Sequence, residues 1–409
     1  MQRALAFALV LFQTPFPTPA SDWPQFLGPH RNGHSPHPIS IDWPDGQPVT
    51  VWSRNVGAGF SGPVVAGDRL ILHHRQGSEE IVECLDAARG GDPLWRHAQP
   101  TRYRDSFGFD EGPRATPAVS NNRVFAFGAD GTLSALDLTT GRLLWSVATQ
   151  DRFGADKGFF GFACSPLIAG ESLILQVGGP DAGVVAFDPE TGAVRWTATD
   201  HAAGYASPVA AAFDNRPHAV CFTREGLVVL DAATGHLRTS HPWRSRQSAS
   251  VNAATPLLLG HRAFLSASYQ TGAILLDLHQ PQPTVVWSGD DNLSCHYASV
   301  VHRNGFLYGF HGRQEHGPSL RCIEAGTGRV RWSQDGLGSG SILLAADRLL
   351  ILTERGECLV AEASPDRFRT LARAQILGAG TRAFPALAHG RLHARDTRRL
   401  VSLNLTPNR

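Results

Sequence analysis

The chain has 409 residues, 42% of them hydrophobic and 18% charged, a balance too apolar for a disordered protein and ordinary for a folded one. Lys and Arg number 37 against 36 Asp and Glu, and a formal charge of +1 argues against a general nucleic-acid or anionic-membrane binder. Gly and Pro number 42 and 27, about one residue in six where about one in eight is usual, with no collagen-like period, so the chain is rich in turns.

At the N-terminus Arg3 precedes the apolar run Ala4 to Phe12, which is too short to span a bilayer as a helix. Thr18, Pro19 and Ala20 supply a small-residue cleavage site, so residues 1–20 read as a secretory signal. That makes the mature chain an exported protein of the periplasm or the extracellular space, with no membrane span. Residues 21–48 follow as a Pro- and Gly-rich arm carrying Trp23 and Trp43, expected to pack across one face of the domain beyond it. Six cysteines (84, 164, 221, 295, 322, 358) are dispersed, with no CxxC and no adjacent pair, and read as small buried residues.

From residue 49 to 405 one unit recurs. Thr116 to Trp145 shows it best: Ser/Thr-Pro, a short apolar strand, a turn, a second strand, a Gly turn, a third strand ending in Asp137, a Thr-Gly turn, and a fourth strand carrying Trp145. Ser165 to Trp196 and Ser299 to Trp332 repeat it closely, and looser copies begin at Gly62, Ser207, Thr255 and Ser341. The openings at 63, 117, 166, 208, 256, 300, 342 and 385 are 42 to 54 residues apart, the period of a propeller blade of four strands. The eighth copy stops before its fourth strand, and that strand with its Trp stands at the other end, Pro48 to Trp52. The expected fold is all-β: an eight-bladed propeller of four-stranded antiparallel blades, the last closed by the N-terminal strand. Seven of the nine tryptophans (52, 95, 145, 196, 243, 287, 332) are assigned to the blades.

The spacing Ala135, Gly141, Trp145 recurs as Ala186, Gly192, Trp196 and as Cys322, Gly328, Trp332. It resembles the tryptophan-docking motif of the PQQ-like (quinoprotein alcohol dehydrogenase-like) β-propeller repeat family, in which the indole of one blade stacks on the glycine peptide of its neighbour. Asp22 to Gly33 is similar to the opening of exported proteins with the same repeats. Quinoprotein alcohol dehydrogenases hold the quinone under a vicinal disulfide, with calcium bound by Glu, Asn and Asp and a further Asp as base. The chain has no adjacent cysteines and no CxxCH haem attachment, so none of those cofactor residues carries over. In size it is similar to the propellers of outer-membrane assembly (BamB-type), but no cysteine precedes Cys84 to carry a lipid anchor.

Ligands of propellers sit where inter-blade loops converge over the channel. Two such loops are long and mix charge, aromatics and glycine: 97–114, with Arg104, Asp105 and Arg114, and 150–162, with Arg152 and Lys157, the single lysine of the chain. Neighbouring loops add His201, Tyr205, Arg244, Arg246, His296, Tyr297 and Arg382. Together these predict a polar, Arg-rich mouth for an anionic or carbonyl-bearing ligand or the edge of a partner. Asp290, Asp291 and Asn292 offer oxygens but no metal-site spacing, and Gly57 to Gly62 matches GxGxxG without the helix that would present phosphate-binding N–H groups. No HExxH or GxSxG occurs. The expectation is a non-catalytic exported scaffold or binding module, monomeric, with an envelope protein or a small ligand at the propeller face. The alternative is a PQQ-dependent oxidoreductase with calcium and a divergent site.

Overall fold

The computed structural model describes residues 22–407; the stretch read as a signal, 1–20, lies outside them. Each repeat forms one sheet, and eight sheets follow one another around an axial channel. Blade 2 is typical, with strands Ala118–Ser120, Arg123–Phe127, Thr132–Asp137 and Leu143–Ala148 paired antiparallel in chain order. Asn121 and Asn122 take φ of 46° and 60° between its first two strands, the left-handed pair that a two-residue hairpin demands. Middle strands are covered on both faces by the blades beside them. They are therefore apolar runs rather than alternating ones, and Phe125, Phe127, Leu133 and Ala135 are fully buried. In blade 8, Val49–Asn55 pairs antiparallel with Arg399–Asn404, so the N-terminal strand closes the ring as expected. Among the described residues, helix is confined to Thr149–Phe153 and two 3-10 turns.

Two contacts cement blade to blade. In the first, the Asp that ends the third strand builds the turn. Asp137 Oδ1 accepts the N–H groups of Thr139 (3.0 Å) and Thr140 (2.8 Å), and the Gly141 N–H returns to the Asp137 carbonyl at 2.8 Å. This leaves Gly141 at φ +72° with its bare face toward the indole of Trp95 in the preceding blade. That indole donates its N–H to the Leu138 carbonyl at 2.9 Å. Gly192 receives Trp145, Gly235 receives Trp196, Gly328 receives Trp287 and Gly90 receives Trp52 in the same way. Ala135, Ala186 and Cys322 stand opposite Trp145, Trp196 and Trp332, where a small side chain leaves room for the ring. Trp332 donates to the Ser364 carbonyl at 2.9 Å and packs on Phe368 instead of a glycine.

Trp243 does not belong to this series. Thr239 occupies the docking register, opposite Val229, while Trp243 lies beyond the end of strand Leu237–Pro242 and stacks on Phe222 of its own blade. The physical reason lies in blade 5, where the stretch from Asp277 to Thr284 has no glycine to receive an indole. Six tryptophans dock, and Trp243 stands in its blade outside the docking register.

The second contact explains the Ser/Thr-Pro openings. The hydroxyl of each opening residue accepts the backbone N–H of its counterpart one blade back: Gly62 to Thr116 (3.1 Å), Thr116 to Ser165 (3.0 Å), Ser165 to Ser207 (2.9 Å), Ser207 to Thr255 (3.1 Å) and Thr255 to Ser299 (3.3 Å). A belt of hydroxyls thus runs around the channel from blade 1 to blade 6.

The arm does not lie across a face. It enters the channel, because the eight inner strands leave an axial space that only another chain segment fills. Asp22 accepts the Gly67 N–H and meets His389 at 2.9 Å, Trp23 exchanges both backbone hydrogen bonds with Val65 at 2.9 Å, and the Pro24 carbonyl accepts the Val119 N–H. The chain turns at Gly28, whose left-handed backbone lies against the Trp23 ring. Arg31 then donates to the Ser165 and Pro208 carbonyls at 3.2 and 2.8 Å and to the Pro166 carbonyl. On its way out, His34–Ser35 runs parallel to Leu344–Ala345 as a fifth strand of blade 7. Trp23 is 2% exposed and Arg31 3%, and Trp23, Leu27, Ile39 and Trp43 share one core with blades 7, 8 and 1, so the arm is a plug built into the ring.

Docking makes a quantitative prediction. Gly192→Ala and Gly46→Ala both place a side chain at φ near +70°, costing about 1–2 kcal/mol. Only at Gly192 does the new methyl also meet the Trp145 ring, at 2.7 Å, whereas nothing lies within 4 Å at Gly46. Gly192→Ala is therefore expected to lose a further ~1–3 kcal/mol in denaturant unfolding. Equal losses for the two variants refute a docking role for the glycine.

Candidate functional site

The loops leading from each fourth strand to the next blade open on one face and meet over the plugged channel. They enclose a cavity of about 190 Å³. Its walls are mostly rings: Phe26 from the tip of the plug, Phe60, Phe109, Phe160 and Tyr205 from the loops of blades 8 to 4, and Phe384 before blade 8. Ser165, Ser207 and Thr255 of the hydroxyl belt also line it, with Arg114, His296, Tyr297, Gln314 and Arg382.

Each polar group is held by a second one. Arg114 lies 3.2 Å from Asp105, donates to the Asp110 carbonyl at 2.9 Å and passes within 6 Å of the rings of Phe60, Tyr103 and Phe160. Burial works against a charged Asp105, yet the N–H groups of Phe107, Phe109 and Asp110, with Arg114, keep its pKa below the ordinary carboxylate value. Arg382 Nε is 2.9 Å from Glu354 Oε1, and its guanidinium lies over Phe60 and Phe109. The Tyr297 hydroxyl donates to the same Glu354 oxygen; burial, with that carboxylate beside it, pushes the phenol well above its usual range. His296 Nε2 accepts from the Tyr269 hydroxyl at 2.8 Å while its Nδ1–H donates to Gln314 Oε1 at 2.6 Å, so both ring nitrogens are occupied by a neutral imidazole. Burial lowers the His296 pKa.

Of the residues expected from sequence, Arg114, His296, Tyr297, Arg382 and Tyr205 reach the cavity, and Asp105 stands behind Arg114. The others do not line it. Arg104 is exposed and pairs with Glu111 at 3.0 Å. Lys157 donates to the Arg104 carbonyl and lies over Tyr103. Arg152 is exposed on the short helix beside Phe153. His201 meets Thr223 at 2.9 Å, Arg244 comes within 3.9 Å of Glu225, and Arg246 is exposed. Sequence reasoning missed Phe26, Phe60 and Phe384, whose apolar character reads as core, and the three hydroxyls, read only as strand openings. The Ser/Thr-Pro period was their signal.

The residues present do not fit a calcium-bound quinone. The cavity lining contains no Asp, Glu or Asn, and the nearby Asp105 and Glu354 are each committed to an arginine. Asn292 donates to the Gly328 carbonyl at 2.6 Å and Asp290 accepts from Ser294, so the acidic loop of blade 5 serves the Trp287 dock. All six cysteines are free and buried. Among the described residues, no group of three or more His, Cys, Asp or Glu side chains converges as a metal site, and no helix is long and apolar enough to cross a membrane.

The sequence family described as outer membrane protein assembly factor BamB matches residues 78–334. Among curated proteins, BamB of Burkholderia pseudomallei is 29% identical over 192 residues, 45% of this chain and 43% of that protein. Quinohemoprotein alcohol dehydrogenase ADH-IIG of Pseudomonas putida is 31% identical over 126 residues, 29% of this chain and 17% of that enzyme. The chain thus spans less than half the length of either relative. Among solved structures, BamB from Moraxella catarrhalis superposes with a TM-score of 0.65 at 16% identity, covering 88% of this chain and 98% of that one. The quinohemoprotein alcohol dehydrogenase from Comamonas testosteroni gives 0.65 at 14% identity, covering 95% and 82%. At these identities the superpositions show the fold.

The hydrogen-bond chain through His296 is testable by NMR of its ring nitrogens. As pH falls through 6.5, where an ordinary histidine takes up a proton, His296 is expected to stay neutral with its proton on Nδ1. Tyr269→Phe removes the donor to Nε2 and is expected to raise the pKa. Titration at the ordinary value, or a proton on Nε2 in the neutral ring, refutes the arrangement.

Proposed function

The chain belongs to the β-propeller family described as outer membrane protein assembly factor BamB, and on that premise we propose that it is an exported, non-catalytic binding propeller whose site is the mouth over the plugged channel. The observation that carries this reading is the cavity itself. Loops from around the ring converge on one space walled by aromatic rings, in which every ionised side chain is already matched by a partner. Such a lining offers apolar contact, ring faces and hydrogen bonds to whatever enters. It offers no free carboxylate or imidazole to act as general base, since Glu354 is shared between Arg382 and Tyr297 and His296 is bonded at both nitrogens.

The partner is a protein of the cell envelope or a small molecule. For a protein, the exposed rings Phe107 and Phe109, 55% and 53% accessible, extend the apolar mouth outward and would anchor the contact. They form a cluster with Phe159 and Phe160 from the next loop, with centroids 5.3 to 6.5 Å apart.

The similarity to a quinohemoprotein dehydrogenase makes the oxidoreductase the reading to test against. PQQ and calcium are added to the purified chain, and quinone absorbance and dye-linked alcohol oxidation are followed. The expected outcome is neither uptake nor turnover; saturable binding with turnover overturns the proposal. In parallel, the immobilised chain is exposed to envelope extract and to small-molecule libraries. Arg114→Ala or Phe109→Ser is expected to reduce capture by about tenfold, the loss of one good anchor, with Arg246→Ala unchanged. Capture unaffected by both mouth variants removes the mouth as the site.

A further inference from the structure

We infer that the plug charges the mouth: the cavity takes a monoanionic ligand of about one ring, an aromatic carboxylate, whose anionic head rests on the hydroxyls of Ser165, Ser207 and Thr255 above the buried Arg31 and whose ring lies among the phenylalanines. The inference rests on the reading of the mouth as a binding site and adds the class of ligand.

The charges around the cavity carry the first step. Arg114 is balanced by Asp105 and Arg382 by Glu354, while His296 is neutral. Arg31 has no carboxylate among the described residues. Its partners are the carbonyls of Ser165, Pro166 and Pro208 and the amide oxygen of Gln25 at 2.8 Å. Burial brings its pKa down to about 9, which still leaves it ionised at neutral pH. A buried guanidinium without a counter-ion is costly, and carbonyl dipoles meet that cost only in part. Because Ser165 both lines the cavity and gives its carbonyl to Arg31, the unmatched charge sits directly under the floor.

The hydroxyls carry the second step. Ser165 accepts the Thr116 N–H, Ser207 accepts the Ser165 N–H and Thr255 accepts the Ser207 N–H, so the belt uses each oxygen as an acceptor. None of the three O–H groups donates to an acceptor among the described residues, although all three residues line the cavity. A hydroxyl that already accepts a hydrogen bond keeps one proton to give. Three such donors from consecutive blades, backed by a positive charge, are arranged for the oxygens of an anion.

Size and walls carry the third. A cavity of about 190 Å³ is slightly larger than the roughly 150 Å³ apolar cavity that admits benzene, so it holds one substituted ring. Phe26, Phe160 and Phe384 supply the apolar surface against which a ring is desolvated.

The test uses three probes on the intact protein by calorimetry: benzoate, its neutral isostere benzamide, and inorganic phosphate, an anion without a ring. Benzoate is expected to bind at least tenfold more tightly than either other probe, and Arg31→Gln is expected to abolish the preference over benzamide. Since Arg31→Gln disturbs the plug, circular dichroism checks its fold, and Ser207→Ala, expected to weaken benzoate but not benzamide, provides an independent variant. Equal binding of benzoate and benzamide by the unaltered chain overturns the charge assignment. Phosphate binding as tight as benzoate overturns the role of the rings. If no probe binds while partner capture still depends on Arg114, the inference falls and the binding role of the mouth stands.

Discussion

A flat indole lying on a glycine of the next blade, with its N–H delivered to a carbonyl of the same turn, joins one sheet to another at the rim of the ring. Everything else depends on that junction, because no blade can stand alone: its middle strands are apolar on both faces and need a neighbour on each side. The glycine must be left-handed, and the Asp that opens the turn holds it so. Where the pattern lapses, the ring adapts locally. Trp332 finds Phe368, and blade 4 places Thr239 where a ring would stand.

The inner rim is organised by a different bond. Each opening Ser or Thr from Thr116 to Ser299 takes one N–H from the blade behind it, so the belt ties blades 1 to 6 together along their inner strands. The same bond leaves the hydroxyl protons of Ser165, Ser207 and Thr255 facing the mouth. Stability and site chemistry are therefore two uses of one set of atoms. The plug extends this economy: Trp23 and Gly28 fold it on itself, Arg31 ties it to blades 3 and 4, and Phe26 becomes part of the cavity it supports.

Much of the architecture was legible because it repeats. The Asp–Thr–Gly turn, the Trp two residues into the following strand and the Ser/Thr-Pro opening recur often enough to count blades and to place Val49–Asn55 in the last of them. Trp243 keeps its place in the blade series but not the docking register. Register is set by the partner strand, and there Thr239 faces Val229. Of the mouth, the charged members were legible as loop residues. Arg114 and Arg382 point inward because Asp105, Glu354 and the rings of Phe60 and Phe109 hold them, whereas Arg104, Arg152 and Arg246, alike in sequence, stay in solvent.

The sequence by itself determined the all-β fold, the eight blades, the closing strand and the small residues opposite Trp95, Trp145, Trp196 and Trp332, because these are local patterns written several times over. Only the tertiary structure decided that the arm enters the channel instead of crossing a face, which arginines face the mouth, and that Arg31 of the arm lies beneath it without a counter-ion among the described residues. Those outcomes depend on which segments meet across the axis. Ser165 and Pro208 lie far from Arg31 along the chain, and a sequence read in one dimension carries no period that joins them.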